Sequence, residues 1–288
     1  MNAMSKPMNN FKFHKFIIQI VSAVLVAGAP MLHAQAPDNK ITVPLTDPSR
    51  PVTLRAHLLN GGITVKGADI KEVIVEARVR DHEGHRDESK AEGMKRIPMI
   101  STGLNIEAEN NQVRVSADSV QRTIDLTITV PVHTSLSLHT VNDGNINVTG
   151  VDGELDVNDV NGEVTLKNIS GSAVAHALNG KMLVTFNRID PQKPMAFSSM
   201  NGAIDVTFPA DLKATVSLRT DNGEVFSDFD VKLQPIAPPT LEDDHGKGGR
   251  FQVKIEKTVR GTINGGGQEI QFKNFNGNIY LRKAGAKQ

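Results

Sequence analysis

A group of acidic residues near the middle of the chain has the types and spacing that acid–base chemistry requires. Four acids fall within eight residues of one another: Asp152, Glu154, Asp156 and Asp159. Paired carboxylates hydrolyse glycosides, one as the acid and the other as base or nucleophile. These four alternate with apolar residues, however, and alternation of period two is typical of a strand with one solvent face. We therefore expect all four on an outward strand face and assign no catalytic residue.

Two histidines could bind a metal ion. His82 and His85 lie among acidic residues in a charged stretch, and imidazole with carboxylate is a common ligand set. Structural metal sites usually draw ligands from a second cluster of fixed spacing, and the sequence offers none. We expect a solvated loop here, and neither a metal nor a cofactor.

The glycine spacing raises calcium binding as a further chemistry. Glycines recur every nine residues from Gly144 to Gly180. Calcium-loaded β-rolls repeat Gly-Gly-x-Gly-x-Asp, which supplies oxygen ligands. In this chain the second residue after the glycine is apolar instead, so it offers no ligand: Ile146, Leu155, Val164 and Ile204.

The elements that position these residues are predicted by a longer repeat. An apolar–Asn–Gly triplet recurs with Asn-to-Asn steps of 19, 18, 22 and 21 residues, and related triplets stand on both sides. The Asn and the Gly of the triplet both tolerate positive φ, so we expect them at corners between strands. The predicted structural corners are Asn60, Asn142, Asn161, Gly162, Asn179, Gly180, Asn201, Gly202, Asn222, Gly223, Asn276 and Gly277.

Self-similarity at this period predicts an all-β fold, a single-chain β-solenoid. It would be a β-helix or β-roll-like stack of short strands, and its handedness is left open. The asparagine amides would bond from coil to coil as a ladder. A chain of ordinary hairpins is the alternative, since Asn-Gly is also a hairpin turn. We expect the final coil, 275–283, to end the stack, with Arg282 and Lys283 discouraging edge-to-edge pairing.

The domain organisation follows from the composition. Residues 1–34 read as a signal peptide, with an apolar run over 16–29 and cleavage after Ala34 or Ala36. Residues 35–288 would form one solenoid domain, with insertions near 80–98, which could hold a short helix over 87–94, and near 232–250. The apolar run is too short for a span, so we expect no integral membrane segment after signal removal. The chain has no cysteine and hence no disulfide.

The repeats resemble the bacterial putative adhesin family, exported domains of unknown function with Asn-Gly β-repeats. The stretches that carry the resemblance are 130–142, 151–164 and 264–283. The resemblance implies an exported β-solenoid without known catalysis. It brings no functional residues to carry over.

We therefore expect a non-catalytic exported protein of the cell envelope, with an adhesin-like or scaffold role. The partner would be an unknown envelope, glycan or surface component, and the location periplasmic or extracellular. Lys plus Arg equals Asp plus Glu at 32 each, and no basic face stands out, so nucleic acid is not an expected partner. The alternative is a β-helix protein that binds or processes polysaccharide.

Overall fold

The structure is a computed structural model that describes residues 40–80, 103–117, 122–235, 240–244, 250–254 and 258–285. All of them lie in one compact unit that spans residues 39–288. The predicted signal peptide lies outside the described residues, as do His82, His85 and most of the insertion near 80–98. No helix among the described residues is long and apolar enough to cross a membrane.

Alternating sequence forms short strands throughout the described residues. The strands are β1 Lys40–Pro44, β2 Val52–Asn60, β3 Ile63–Ala68, β4 Glu72–Arg80, β5 Leu104–Glu109, β6 Gln112–Ala117, β7 Thr123–Pro131, β8 Thr134–Asn142, β9 Ile146–Thr149, β10 Asp152–Asp159, β11 Val164–Asn179, β12 Met182–Ile189, β13 Met195–Asn201, β14 Ile204–Phe208, β15 Ala214–Asn222, β16 Val225–Ser227, β17 Val231–Leu233, β18 Thr240–Asp244, β19 Arg250–Lys254, β20 Val259–Ile263, β21 Gln268–Asn276 and β22 Ile279–Lys283.

Most of these strands stack in parallel on two faces. The face that ends at the Asn-Gly corners, here called the ladder face, runs in the order β6, β2, β8, β10, second half of β11, β13, β21, β15. The second face runs β7, β3, β9, first half of β11, β12, β14, β22, β16. Each coil gives one strand to each face, so the predicted β-solenoid is confirmed.

The order of the coils in the stack differs from their order in the chain at both ends. The first coil, β2–β3, lies between β6–β7 and β8–β9. The last coil, β21–β22, lies between β13–β14 and β15–β16. The expectation that Arg282 and Lys283 guard the end of the stack was therefore wrong. Arg282 instead lies over an interior coil, where its Nε donates to Asp205 Oδ1 at 2.8 Å.

Antiparallel strands extend both faces at one end of the stack and the ladder face at the other. At one end β5 pairs with β6, β4 with β7 and β1 with β4. At the other end β20 pairs with β15 and β17 with β20. At the predicted insertion near 232–250, β18 pairs with β19, which extends past it to Lys254, in a separate two-stranded ribbon. Reversing strand direction interrupts the parallel register that another coil would need in order to add to the stack.

The core lies between the two faces and is built from thin apolar layers. Inward residues alternate with outward ones along each strand, as the period of two requires. The largest rings gather in one part of the core, where Phe186 stacks on Phe208 at 5.4 Å and Phe197 on Phe272 at 5.3 Å between centroids. The core also contains the four apolar residues that replace calcium ligands in the glycine repeat: Ile146, Leu155, Val164 and Ile204.

Candidate functional site

The asparagines of the repeat lie in line along one corner of the stack. Each side-chain Nδ2 donates to the Oδ1 of the asparagine in the next coil, at 2.8–2.9 Å except for a 3.3 Å bond at the first step. The asparagine ladder runs Asn60, Asn142, Asn161, Asn179, Asn201, Asn276, Asn222. Asn276 thus stands between Asn201 and Asn222, which the sequence alone placed next to each other.

The glycines of the corners are required by close stacking more than by backbone conformation. A Cβ on Gly180 would lie 1.9 Å from the carbonyl oxygen of Gly162, and one on Gly162 would lie 2.0 Å from that of Gly144. Positive φ occurs at Gly202 and Gly277, but at none of the ladder asparagines. The prediction that asparagine occupies these corners because it tolerates positive φ was therefore wrong. Its side-chain amide is needed there for the hydrogen bonds of the ladder.

An inward row of side chains lies two residues before the ladder and binds the corner carbonyls. Thr140 Oγ1 donates to Gly61 O at 2.7 Å, and Asn274 Nδ2 donates to Gly202 O at 2.8 Å. Ser199 and Thr220 make the equivalent bonds to Gly180 and Gly277. These four side chains therefore fasten their coils to the neighbouring ones in the stack.

Asp159 occupies a place in this inward row, so the expectation of an outward side chain was wrong. Its side chain is fully buried, and neither carboxyl oxygen has a hydrogen-bond partner among the described residues. Burial raises the pKa of the Asp159 carboxyl to about 7. The backbone N–H groups of Ile146 and Asn161 oppose that rise only in part, because they donate their hydrogen bonds to the carbonyl oxygens of Glu163 and Val141. A buried, unpartnered carboxyl favours its neutral form.

The other acids of the group are engaged in ion pairs or exposed. Asp152 Oδ2 contacts Arg188 at 2.8 Å and His133 at 3.4 Å. Glu154 pairs with Lys193. Asp152 and Glu154 line a cleft of about 540 Å³, and Asp156 is exposed on the ladder face. The structure therefore separates Asp156 and Asp159 from the other two acids, and it places Asp152 and Glu154 in one cleft, each paired with a basic side chain.

A groove that the sequence analysis did not identify crosses the ladder face. This outer groove has a volume of about 480 Å³ and crosses five neighbouring strands. Its lining residues are Asn158, Val160, His176, Ala177, Leu178, Ser198, Ser199, Met200, Asp221, Lys273, Asn274 and Phe275. It follows the stacking direction, beside the asparagine ladder.

One wall of the outer groove is apolar and open to solvent. The apolar row, Val160, Leu178, Met200 and Phe275, consists of the residues that directly precede the ladder asparagines. Leu178, Met200 and Phe275 are 43%, 45% and 46% exposed. Isolated exposed apolar residues are ordinary on protein surfaces, whereas a contiguous set marks a contact surface.

The facing wall is polar. The polar row consists of Asn158, His176, Ser198 and Lys273, which are register partners on consecutive strands. His176 Nδ1 is hydrogen-bonded to Ser198 Oγ. The Lys273 ammonium has no carboxylate within 4 Å among the described residues, whereas the neighbouring Arg219 pairs with Asp221 at 3.3 Å. One uncompensated cation therefore stands in this wall.

The arrangement is suited to binding. A serine beside a histidine is the beginning of a nucleophile–base pair, but such a pair also needs a third group that orients the base. Among the described residues, no carboxylate lies within 4 Å of His176, and no three His, Cys, Asp or Glu side chains group as a metal site. The groove offers apolar contact on one side and hydrogen-bonding groups on the other, as ligand sites do.

The alternation of residues along the strands predicts both the inward side chain of Asp159 and the outward apolar row. Asp159 has the same parity as Leu155 and Val157, which are buried. Leu178 has the same parity as the outward His176. Counting by twos along each strand therefore places Asp159 inward and the apolar residue of the triplet outward.

Comparisons with known proteins relate the chain to one family. The sequence profile described as Toastrack DUF4097 matches residues 8–281, and a search of curated proteins finds no match. A crystal structure of a putative cell adhesion protein from Clostridium sporogenes ATCC 15579 covers 85% of this chain and 98% of that chain, at 10% identity and a TM-score of 0.41. That of a putative adhesin from Bacteroides fragilis NCTC 9343 covers 85% and 95%, at 12% identity and 0.32. The profile spans nearly the whole sequence, and the chain belongs to the Toastrack DUF4097 family.

Proposed function

We propose that this protein is an exported, non-catalytic binding protein of the cell envelope, with an adhesin-like or scaffold role. The observation that carries the proposal is the outer groove, where exposed Leu178, Met200 and Phe275 form a continuous apolar wall opposite a polar one. When a partner covers the hydrated apolar side chains of such a row, the complex is stabilised by about 25 cal/mol per Å² of apolar surface buried.

The rigidity of the stack supports the same role. Each coil is joined to its neighbours by backbone bonds on two faces and by the asparagine ladder. The backbone positions of the groove residues therefore stand at fixed spacing before the ligand arrives, which lowers the entropy cost of binding.

Export is the second part of the proposal and is supported by the amino-terminal sequence. A basic start, an apolar run over 16–29 and small residues at Ala34 and Ala36 form the pattern of a cleaved signal. Protease treatment of intact and of permeabilised cells, followed with an antibody to this chain, tests it. Cleavage in intact cells would indicate the cell surface, and cleavage only after permeabilisation would indicate the periplasm. Recovery of the uncleaved protein with its first 34 residues in the cytoplasm would refute export.

Binding is tested separately with the purified chain 35–288 and envelope fractions of the source cells. Leu178→Asp places a charge in the apolar row and should reduce binding at least tenfold. Leu233→Asp is the matched control, because Leu233 is 66% exposed and does not line the groove. Equal binding by both variants and the unchanged chain would refute the groove as the binding surface.

A further inference from the structure

The groove fits a ligand that is long, narrow and repetitive. It crosses β10, β11, β13, β21 and β15, so its length is four interstrand steps of about 4.8 Å, or roughly 19 Å. On the first four of these strands the ligand meets one apolar and one polar side chain, for example Leu178 with His176, and on β15 it meets Asp221. A chain of similar units satisfies this pattern better than a compact molecule does.

The apolar wall and the polar wall match the two kinds of surface that a sugar ring presents. A pyranose ring presents C–H groups on its faces and hydroxyl groups around its edge. The C–H faces would pack on Leu178, Met200 and Phe275, whose exposed side chains need a cover. The hydroxyl groups would bond to Asn158, His176 and Ser198, which offer both donors and acceptors.

The charges that line the groove favour an acidic group on the ligand. Lys273 is the cation of the polar row and has no carboxylate partner within the described part of the chain, while Asp221, the acid that lines the groove, is paired with Arg219. An anion bound at Lys273 would gain a charge-assisted hydrogen bond, which is roughly twice as strong as a neutral one. A single such cation is too few for a nucleic-acid backbone, which needs several.

An acyl chain fits the groove less well. A lipid tail gains most when it is enclosed, and the apolar row leaves close to half of each side chain in solvent. An acyl chain lying there would stay hydrated along its other side, and its methylenes would make no use of the polar row.

We propose that the outer groove binds an acidic polysaccharide, with sugar faces on the apolar row and a carboxylate at Lys273. This assignment rests on the proposed function and names the ligand class of that same site.

The test is the affinity of the purified chain 35–288 for oligogalacturonate and for the same oligosaccharide fully methyl-esterified, measured by calorimetry. The ester keeps the sugar backbone and removes the charge, so it should bind at least tenfold more weakly. Lys273→Met should weaken oligogalacturonate about tenfold and leave the ester unchanged, whereas Met200→Ser should weaken both. Lys167→Met is the control, because Lys167 is an exposed lysine on the second face.

The outcomes separate the ligand class from the proposed function. If neither oligosaccharide nor a sulfated glycan bound while Leu178→Asp still abolished binding to envelope fractions, the polysaccharide assignment would fall and the binding function would stand. If palmitate bound and displaced the envelope ligand, the groove would be a lipid site and the assignment would equally fall. Thermal unfolding of each variant within about 3 °C of the unchanged chain excludes a folding defect as the cause.

Discussion

Asn222 donates its side-chain Nδ2 to Asn276 Oδ1 at 2.9 Å, across 54 residues of chain. Asn276 in turn donates to Asn201 at 2.9 Å, across 75 residues. The last repeat of the sequence thus joins two coils that the sequence suggested were neighbours. The stack is therefore complete only when β21 and β22, the last strands of the chain, have inserted between these two coils.

Removal of residues 258–288 should therefore prevent folding of more than the last coil. The deletion removes β20, β21 and β22, so β15 and β16 lose all the strands that pair with them. We expect no cooperative thermal transition in this truncated chain, or one lowered by more than 15 °C. A truncated chain that melts within a few degrees of the full one would show that the coils stack in chain order instead.

Asn161→Ala should destabilise the protein by about 1–2 kcal/mol, because it removes two side-chain hydrogen bonds of the ladder at once. Asn161 donates to Asn142 at 2.9 Å and accepts from Asn179 at 2.8 Å. Thr165→Ala on the second face should change stability by less than about 0.5 kcal/mol. Urea unfolding of both variants makes the comparison, and equal free energies of unfolding would mean that the ladder contributes nothing.

Gly180→Ala should be among the most damaging single substitutions, costing about 3 kcal/mol or more. The added Cβ would lie 1.9 Å from the backbone oxygen of Gly162, and neither backbone can move without separating two coils. Gly265→Ala serves as the control, because a Cβ there has open space and meets only the cost of its φ of +88°, about 1–2 kcal/mol. Similar thermal midpoints for the two variants would contradict the close-packing explanation.

Stability should fall with rising pH through Asp159. The pKa of its carboxyl is about 7 in the folded protein and near its ordinary value of 3.8 in the unfolded chain. Below pH 4 both states hold the proton, between pH 4 and 7 only the folded state does, and above pH 7 neither does. The folded state thus loses a few kcal/mol, roughly 4 at most, as the pH rises from 4 to 7.

Asp159→Asn should remove this pH dependence and leave the variant more stable than the unchanged chain above pH 7. An amide at this position can donate to the corner carbonyl of Gly144, as Asn274 donates to Gly202. Urea unfolding at pH 5 and pH 8 measures the difference between the two proteins, so that other titrating groups cancel. A variant that is less stable than the unchanged chain at pH 8 would show that the carboxylate is stabilised when charged.

The sequence predicts the repeating unit well and the assembly poorly. A constant Asn-Gly spacing predicts the solenoid because each coil needs the same corner, where one amide bonds to the next and glycine admits the neighbouring carbonyl. It cannot predict that Asn276 lies between Asn201 and Asn222, because coils with equal corners fit beside one another in any order. The groove required one further step, since Leu178 and Met200 look like core residues until strand parity places them outward.

Single introduced cysteines test whether the outer groove is the binding surface, because the chain has no cysteine of its own. Leu178→Cys and Leu233→Cys each introduce one thiol, the first in the apolar row and the second outside the groove. Maleimide labelling is then timed with and without saturating envelope fraction. We predict at least fivefold slower labelling at Leu178→Cys in the presence of the fraction and no change at Leu233→Cys. Equal labelling rates at Leu178→Cys with and without the bound fraction would show that the outer groove is not the binding surface.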